Sequence, residues 1–404
     1  MEGSLMRSLL VVQNGAINTR MGAGQRTRVC FNALKSLGHV DVVILGEKGS
    51  PKVNEFFPNA SSVQWVQSSR FPVIQKKGIN WVVYNLKRFL FLKLLYGPEP
   101  KVVNALSKIL TNEHKIVLCR YSLTFCVTGL STGDNLGVFV DIDDRDDQKF
   151  LSAALAIFGK GILSLAFSKY IVPAVREQLE SRLSNAKLLW YATSSDDLKI
   201  QGPATAILRN VPFNVSTSDE STLPSEQQNI LFVGSFDHRP NKDGIRWFLE
   251  NCWTDISSKH PTVRLRIVGL GNWQDMAHEF PDYKRVDYVG TVDDIVPEYL
   301  NSRIVISSIF EGGGSKIKVI EACAYGRPVV TTSHSARGFG AELANALPKA
   351  DDPNSFSDTC CKLLVSNNYA DELGLTLQRL QRKYFNQEAI EKQIADDITN
   401  NILV

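Results

Sequence analysis

Phe310-Glu311-Gly312-Gly313-Gly314-Ser315-Lys316-Ile317-Lys318-Val319-Ile320-Glu321-Ala322-Cys323-Ala324-Tyr325-Gly326-Arg327-Pro328-Val329-Val330 decides how this chain folds. The stretch follows an apolar run, Ile304 to Ile309. It reads as strand, glycine loop, amphipathic helix and a second strand from Pro328 to Thr331. Three glycines at a strand-to-helix corner let the backbone approach a ligand closely, and the new helix offers unpaired N–H groups at its positive end. Such a corner holds a phosphate. Lys316 and Lys318 fall in the expected first turn, where the dipole prefers carboxylates, so cations there point to an anionic guest. Glu321, deeper in the helix, is placed to accept hydrogen bonds from hydroxyls of the same guest. The competing reading is a glycine turn that serves topology alone, with the lysines as a solvated edge.

The rest of the chain sets the frame. Its 404 residues, 44% apolar and 22% charged, are enough for two domains of roughly 150 to 200 residues. A formal charge of +3, with no Arg/Lys-rich arm, argues against a nucleic-acid binder and leaves room for anionic ligands. Cys30, Cys119, Cys126, Cys252, Cys323, Cys360 and Cys361 are odd in number, scattered and without metal-ligand spacing, which fits a reducing cytoplasm. Met1 to Val12 reads as a first buried strand rather than a signal peptide. Leu151 to Phe167, broken by Gly159, Lys160 and Gly161, falls short of a spanning helix.

Apolar runs alternate with helical patterns in both halves. The first half has Leu9 to Gln13, a helix near Gln25 to Leu37, Val40 to Leu45, a helix near Leu86, Ile116 to Cys119 and Val138 to Ile142. The rhythm restarts at Ile230 to Val233, then a helix around Ile245 to Trp253, Arg264 to Val268, Arg285 to Val289, Ile304 to Ser308 and Val329 to Thr331. Buried runs alternating with helices imply a parallel sheet covered on both faces, so the expected class is α/β with two Rossmann-like domains. The expected boundaries are 1–211, a polar linker at 212–228, a second domain at 229–386, and a helix at 387–404 that crosses back to the first domain. Two such domains facing each other make a cleft lined by the carboxyl ends of both sheets, where open α/β sheets bind ligands.

Ile230-Leu231-Phe232-Val233-Gly234-Ser235-Phe236-Asp237, Arg239-Pro240-Asn241-Lys242-Asp243-Gly244, Ile267-Val268-Gly269, Val289-Gly290-Thr291-Val292 and the glycine loop with Glu321-Ala322 and Gly326-Arg327-Pro328-Val329-Val330 follow one another in order. Over about Asn229 to Phe339 this string resembles the nucleotide-sugar domain of GT-B glycosyltransferases, specifically retaining family 4. The resemblance implies that Gly313, Gly314 and Ser315 give backbone N–H groups to a donor diphosphate. Lys242 and Lys318 would neutralise its charge, and Glu321 would bind ribose. Gly290-Thr291-Val292 would meet the base through its backbone, as uracil is commonly met.

Two departures from the family pattern stand out. Nine residues separate Glu311 from Glu321 where many members have seven between paired glutamates, which loosens Glu311 as a donor-sugar contact. Ser235 stands where many members carry an arginine, leaving Lys242, Lys318 and Lys316 or Arg239 for the phosphate charge.

In the first domain, Gly22-Ala23-Gly24-Gln25-Arg26 occupies the position of the family's glycine-rich loop facing donor and acceptor. Gly22 and Gly24 would allow close backbone approach and Arg26 would meet phosphate or acceptor, with a simple turn as the alternative. Asp141 and Asp143 spell a DxD, a metal-binding motif in another transferase fold. In a GT-B setting lysines and helix dipoles do that work, so no metal is expected. Asp143 or Asp144 is read as a ligand of acceptor or sugar hydroxyls, against helix capping by Asp144, Asp146 and Asp147. Arg120 is a further cleft-edge residue, or else half of a surface ion pair.

Residues 70–101 hold six aromatics and seven Lys or Arg against one Glu, with Ile79, Val82, Val83, Leu86 and Leu90 on one helical face. Such a helix lies on anionic lipid, as an acceptor on a lipid-phosphate carrier would require, or packs on the sheet with snorkelling lysines. The resemblance thus implies metal-independent, retaining transfer of a hexose, best read as glucose from UDP-glucose, to a glycan or lipid-linked oligosaccharide in polysaccharide biosynthesis. The enzyme would be cytoplasmic and peripheral on the membrane. The alternatives are a UDP-sugar epimerase or phosphorylase on the same architecture and a non-catalytic nucleotide-sugar-binding partner.

Overall fold

The computed structural model describes residues 6–18, 22–48, 53–71, 91–143, 145–148, 150, 151, 155, 161–211, 223–312 and 316–402. Gly313, Gly314, Ser315 and Asp144, the helix expected near Leu86 and most of the 212–228 linker lie outside them. The chain divides into two compact units, Met1–Phe213 with Gln387–Val404, and Asn214–Asn386.

The first unit is built on β1 (Met6–Gln13), β2 (Gly38–Leu45), β3 (Ser62–Val66), β4 (His114–Arg120), β5 (Gly137–Asp143), β6 (Leu188–Tyr191) and β7 (Ala204–Ile207). All pair in parallel in the order β3-β2-β1-β4-β5-β6-β7. Leu9 to Val12, Val42 to Leu45 and Ile116 to Cys119 have no exposed surface. That two-sided burial is why these strands read as continuous apolar runs rather than alternating ones. Helix α1 (Gly22–Leu37) follows β1, and strand order reverses between β1 and β4, the switch point where doubly wound sheets place ligands.

Backbone strain collects at the carboxyl ends of this sheet. Tyr121, just after β4, has φ 75°, and Asp143, closing β5, has φ 54°. Both are left-handed conformations that cost a side-chain-bearing residue about 1 kcal/mol or more.

The second unit carries β8 (Asn229–Val233), β9 (Arg264–Val268), β10 (Val286–Gly290), β11 (Ile304–Ser307) and β12 (Val329–Thr331), parallel in the order β10-β9-β8-β11-β12. Here the reversal falls between β8 and β11. Helix α2 (Arg239–Phe248) follows β8, and α3 (Ile317–Ala324) follows β11 and the glycine loop. The helix expected around Ile245 to Trp253 begins earlier, at Arg239, and passes through a wider π turn at Leu249–Trp253.

Helix α4 (Gln387–Ile402) belongs to the first unit. Ile390, Ile394 and Ile398, spaced one turn apart, are buried. Asn32 Nδ2 donates to Glu391 Oε1 (2.8 Å), Trp190 Nε1 to Asp397 Oδ2 (2.8 Å) and Gln393 Nε2 to the Ile207 carbonyl (3.0 Å). Among the described residues no helix is long and apolar enough to cross a membrane.

Candidate functional site

In the second unit β8, the start of α2 and the start of α3 meet at one ammonium group. Lys318 lies in the first turn of α3, and its Nζ donates to Asn241 Oδ1 (2.6 Å) while sitting 4.2 Å from the centroid of the Phe232 ring. Asn241, in the first turn of α2, is itself oriented by its Nδ2 donating to the Ser235 carbonyl (3.0 Å). The packing depends on Gly234: a Cβ there would stand 2.7 Å from the Asn241 amide and 2.9 Å from Lys318 Nζ. A glycine after β8 therefore makes room for the lysine.

Among the described residues Lys318 forms no ion pair. Burial pushes its pKa down to about 7, the nearby Lys316 ammonium adds to the shift, and Glu321 opposes it. A half-buried cation whose partners are a neutral amide and an aromatic face, at the amino end of a helix, has the chemistry to take an anion.

The other residues singled out in the sequence surround this point. Lys316 stands just outside α3 rather than within its first turn, with backbone angles of −87° and 92°, and its Nζ donates to the Gly312 carbonyl (3.4 Å). Lys242 is half-buried on α2 with its Nζ 4.9 Å from the Phe236 ring centroid. Half-buried Ser235 offers its carbonyl to Asn241, so the turn uses its backbone. Glu311 is half-buried and lies 3.8 Å from Arg239 Nε, which is itself held by Asp243 (3.0 Å). Half-buried Val292 lies just past β10, whose Gly290 carbonyl accepts from the Gly269 amide (2.8 Å). Glu321 sits one turn along α3 from Lys318, and the Tyr299 hydroxyl donates to its Oε2 (2.9 Å).

The sequence reading passed over three of these partners. Asn241 lies within a quoted motif, yet its role depends on the β8–α2 turn. His334 and Arg337, after β12, both reach the Gly312 carbonyl, at 2.9 Å and 3.3 Å. Burial and the adjacent Lys316 and Arg337 charges push the His334 pKa down to about 4, so its ring is neutral at ordinary pH. The tripeptide His334-Ser335-Ala336 carries no sequence signal of this role.

In the first unit the expected acceptor residues form a buried charge network. Arg26 donates from Nε and Nη2 to the two Asp141 oxygens (2.8 and 2.5 Å), and from Nη1 to the Leu208 carbonyl and Asn210 Oδ1 (both 2.7 Å). Arg120 pairs with Asp141 and donates to Asp143 Oδ2 (3.2 Å), Thr27 Oγ1 (3.2 Å) and the Ala23 carbonyl (3.3 Å). Asn210 Nδ2 completes the set on Asp143 Oδ1 (3.3 Å). Two guanidinium groups thus face two carboxylates, as burial of charge demands. Desolvation is the largest influence and works against the arginine charges, but Asp141 and Asp143 with their neighbours together outweigh it and hold both above the ordinary arginine range.

These contacts correct three expectations. Arg26 and Arg120 do not present free donors to an acceptor; their side chains are 3% and 0% exposed and spent on internal partners. Arg120 is also not in a surface pair. Gly22 and Gly24 open α1 rather than form a loop, and the close approach at Gly24 is internal: a Cβ there would stand 1.9 Å from the Asn18 carbonyl oxygen. Asp143, on its strained backbone, keeps slight exposure. Among the described residues no group of three or more His, Cys, Asp or Glu side chains is arranged to hold a metal ion.

Residues 227–366 match the profile of the family glycosyl transferases group 1. No curated protein sequence matches the chain. Solved structures match along nearly its whole length. Sucrose-phosphate synthase from Thermosynechococcus elongatus has a TM-score of 0.67 at 14% identity, covering 98% of each chain. Anabaena Alr3699/HepE in complex with UDP and glucose has 0.63 at 13%, covering 98% of this chain and 100% of that one. WaaG, a glycosyltransferase involved in lipopolysaccharide biosynthesis, has 0.62 at 15%, with the same coverage. These likenesses show the fold: two Rossmann-like domains, with seven- and five-stranded parallel sheets, in the GT-B class.

Proposed function

We propose that the protein is a glycosyltransferase that moves a hexose from a nucleotide sugar, best read as UDP-glucose, to a glycan or lipid-linked oligosaccharide with retention at the anomeric carbon. The observation that carries this reading is Lys318: a cation pressed against Asn241 and Phe232, without an ion-pair partner among the described residues, where a helix begins at a sheet switch point. Two comparisons support the reading: Lys318 lies within residues 227–366, which match glycosyl transferases group 1, and the HepE structure, of the same fold, holds UDP and glucose.

In this reading Lys318, Lys242 and the amides opening α3 stabilise the charge that develops on the departing diphosphate. The bond from the anomeric carbon to the phosphate oxygen breaks as the bond to the acceptor oxygen forms on the same face. The acceptor's proton passes to the departing phosphate oxygen. Glu321 would hold the ribose and Glu311 would face the donor sugar. In the first unit Asp143 is the residue left to meet an acceptor hydroxyl. A lipid-phosphate acceptor would bring residues 70–101 to the membrane, with Phe91 and Leu94 exposed on the described part.

Melting in the presence of nucleotides tests the reading, since a ligand bound only by the native state raises stability by mass action. UDP should raise the midpoint and GDP should not. A GDP preference overturns the uridine assignment, and no response to any nucleoside diphosphate overturns the site. The serine at 235 and the displaced Glu311 favour a second reading, a non-catalytic nucleotide-sugar binder. UDP-glucose binding with neither hydrolysis nor transfer would establish it.

A further inference from the structure

We propose that Tyr299 is a positioning residue for the nucleotide's ribose, acting through Glu321; this rests on the nucleotide-sugar reading above and deepens it. Tyr299 sits on the short helix Val296–Leu300 beneath α3, with no exposed surface. Its hydroxyl donates to Glu321 Oε2 (2.9 Å), and its ring stacks on that of Tyr325 with centroids 5.0 Å apart and planes 19° from parallel. The Tyr299 carbonyl accepts from both the Ser302 amide (3.1 Å) and the Ser302 hydroxyl (2.8 Å), so backbone and ring are fixed together.

A glutamate on a helix otherwise turns freely about its last torsion. Holding one oxygen from below sets the plane of the carboxylate before any ligand arrives, and preorganisation of this kind appears as affinity. Desolvation and the Glu321 charge hold the Tyr299 phenol well above its ordinary pKa, so the hydroxyl stays the donor and the carboxylate the acceptor. Glu321 is also one helical turn from Lys318, so a ligand whose phosphate meets that ammonium has its sugar hydroxyls close to this carboxylate.

The test is calorimetric titration of UDP and of 2′,3′-dideoxy-UDP into wild type, Tyr299→Phe, Glu321→Leu and the double variant. Tyr299→Phe keeps the ring stack and removes only the hydroxyl. It should weaken UDP about five- to tenfold and leave dideoxy-UDP unchanged. In the Glu321→Leu background the same substitution should change neither ligand, because the hydroxyl no longer has a carboxylate to hold. This pair also serves if Tyr299→Phe alone does not fold, since the double variant strands no buried acceptor. Equal losses on both ligands would mean a merely structural role and overturn the proposal, as would unchanged UDP affinity or a loss that persists in the Glu321→Leu background. A wild type that binds UDP and dideoxy-UDP alike takes Glu321 off the ribose and overturns the proposal while the nucleotide reading stands. A wild type that binds no UDP refutes the nucleotide reading itself.

Discussion

Binding of UDP should take up a proton, and the proton should go to Lys318. In the free protein burial holds this ammonium near pKa 7, against an ordinary value of 10.5. A diphosphate beside it favours the charged form and lifts the pKa back. Affinity is then governed by the fraction of free protein already protonated. With a free pKa near 7 that fraction falls from one half at pH 7 to about one hundredth at pH 9. UDP should therefore weaken about 50-fold across this range, or about 2.3 kcal/mol. The terminal phosphate titrates near pH 6, so the window above pH 7 isolates the lysine.

Calorimetry at pH 8 in buffers of different ionisation enthalpy should report close to one proton absorbed per UDP. The folding linkage carries the matching sign. Between about pH 7 and 10.5 the unfolded chain holds this proton and the folded chain does not, so the group's contribution to stability improves as pH rises through that window. Lys318→Met removes an ammonium whose burial costs at most about 4 kcal/mol at pH 7. The variant should melt no lower than wild type while losing UDP binding. UDP affinity that is flat from pH 7 to 9, or binding without proton uptake, refutes the reasoning.

Two further substitutions probe the packing around these charges. Gly234→Ala places a methyl 2.7 Å from the Asn241 amide and 2.9 Å from Lys318 Nζ; it should cost about 1–3 kcal/mol of stability and weaken UDP at least about tenfold, as read by urea titration and calorimetry. Asp141→Asn leaves Arg26 and Arg120 sharing one carboxylate in a buried network and should cost about 3–5 kcal/mol in denaturant unfolding, whereas a change below about 1 kcal/mol would contradict the network's structural role.

Legibility in the sequence followed burial. Leu9 to Val12 and Val42 to Leu45 announce themselves because a strand buried on both faces must be apolar throughout, whereas Arg264 to Val268 reads by alternation, with Arg264 exposed and Leu265 and Ile267 buried. Strands β6 and β7 do not: Leu188–Tyr191 and Ala204–Ile207 are four residues each, too short for periodicity to separate from loop. The passage from β11 to α3 was legible because glycines between an apolar run and an amphipathic pattern mark a strand-to-helix junction. The support beneath it was not. Asn241 and Tyr299 reach Lys318 and Glu321 from 77 and 22 residues away, and only the sheet order brings them together. The charge network failed in a different way: Arg26, Arg120, Asp141 and Asp143 were all conspicuous, but sequence does not say whether an arginine early in a helix, such as Arg26, or at a strand end, such as Arg120, points out to a ligand or in to a carboxylate. Here both point in.

The most direct test of the central claim is transfer itself. Protein incubated with UDP-glucose labelled in the sugar, together with glycan and lipid extracts as acceptors, should move label into an acceptor, release UDP in equal amount and lose this activity in Lys318→Ala. Label that stays in free nucleotide sugar, or transfer that Lys318→Ala leaves intact, would contradict the account.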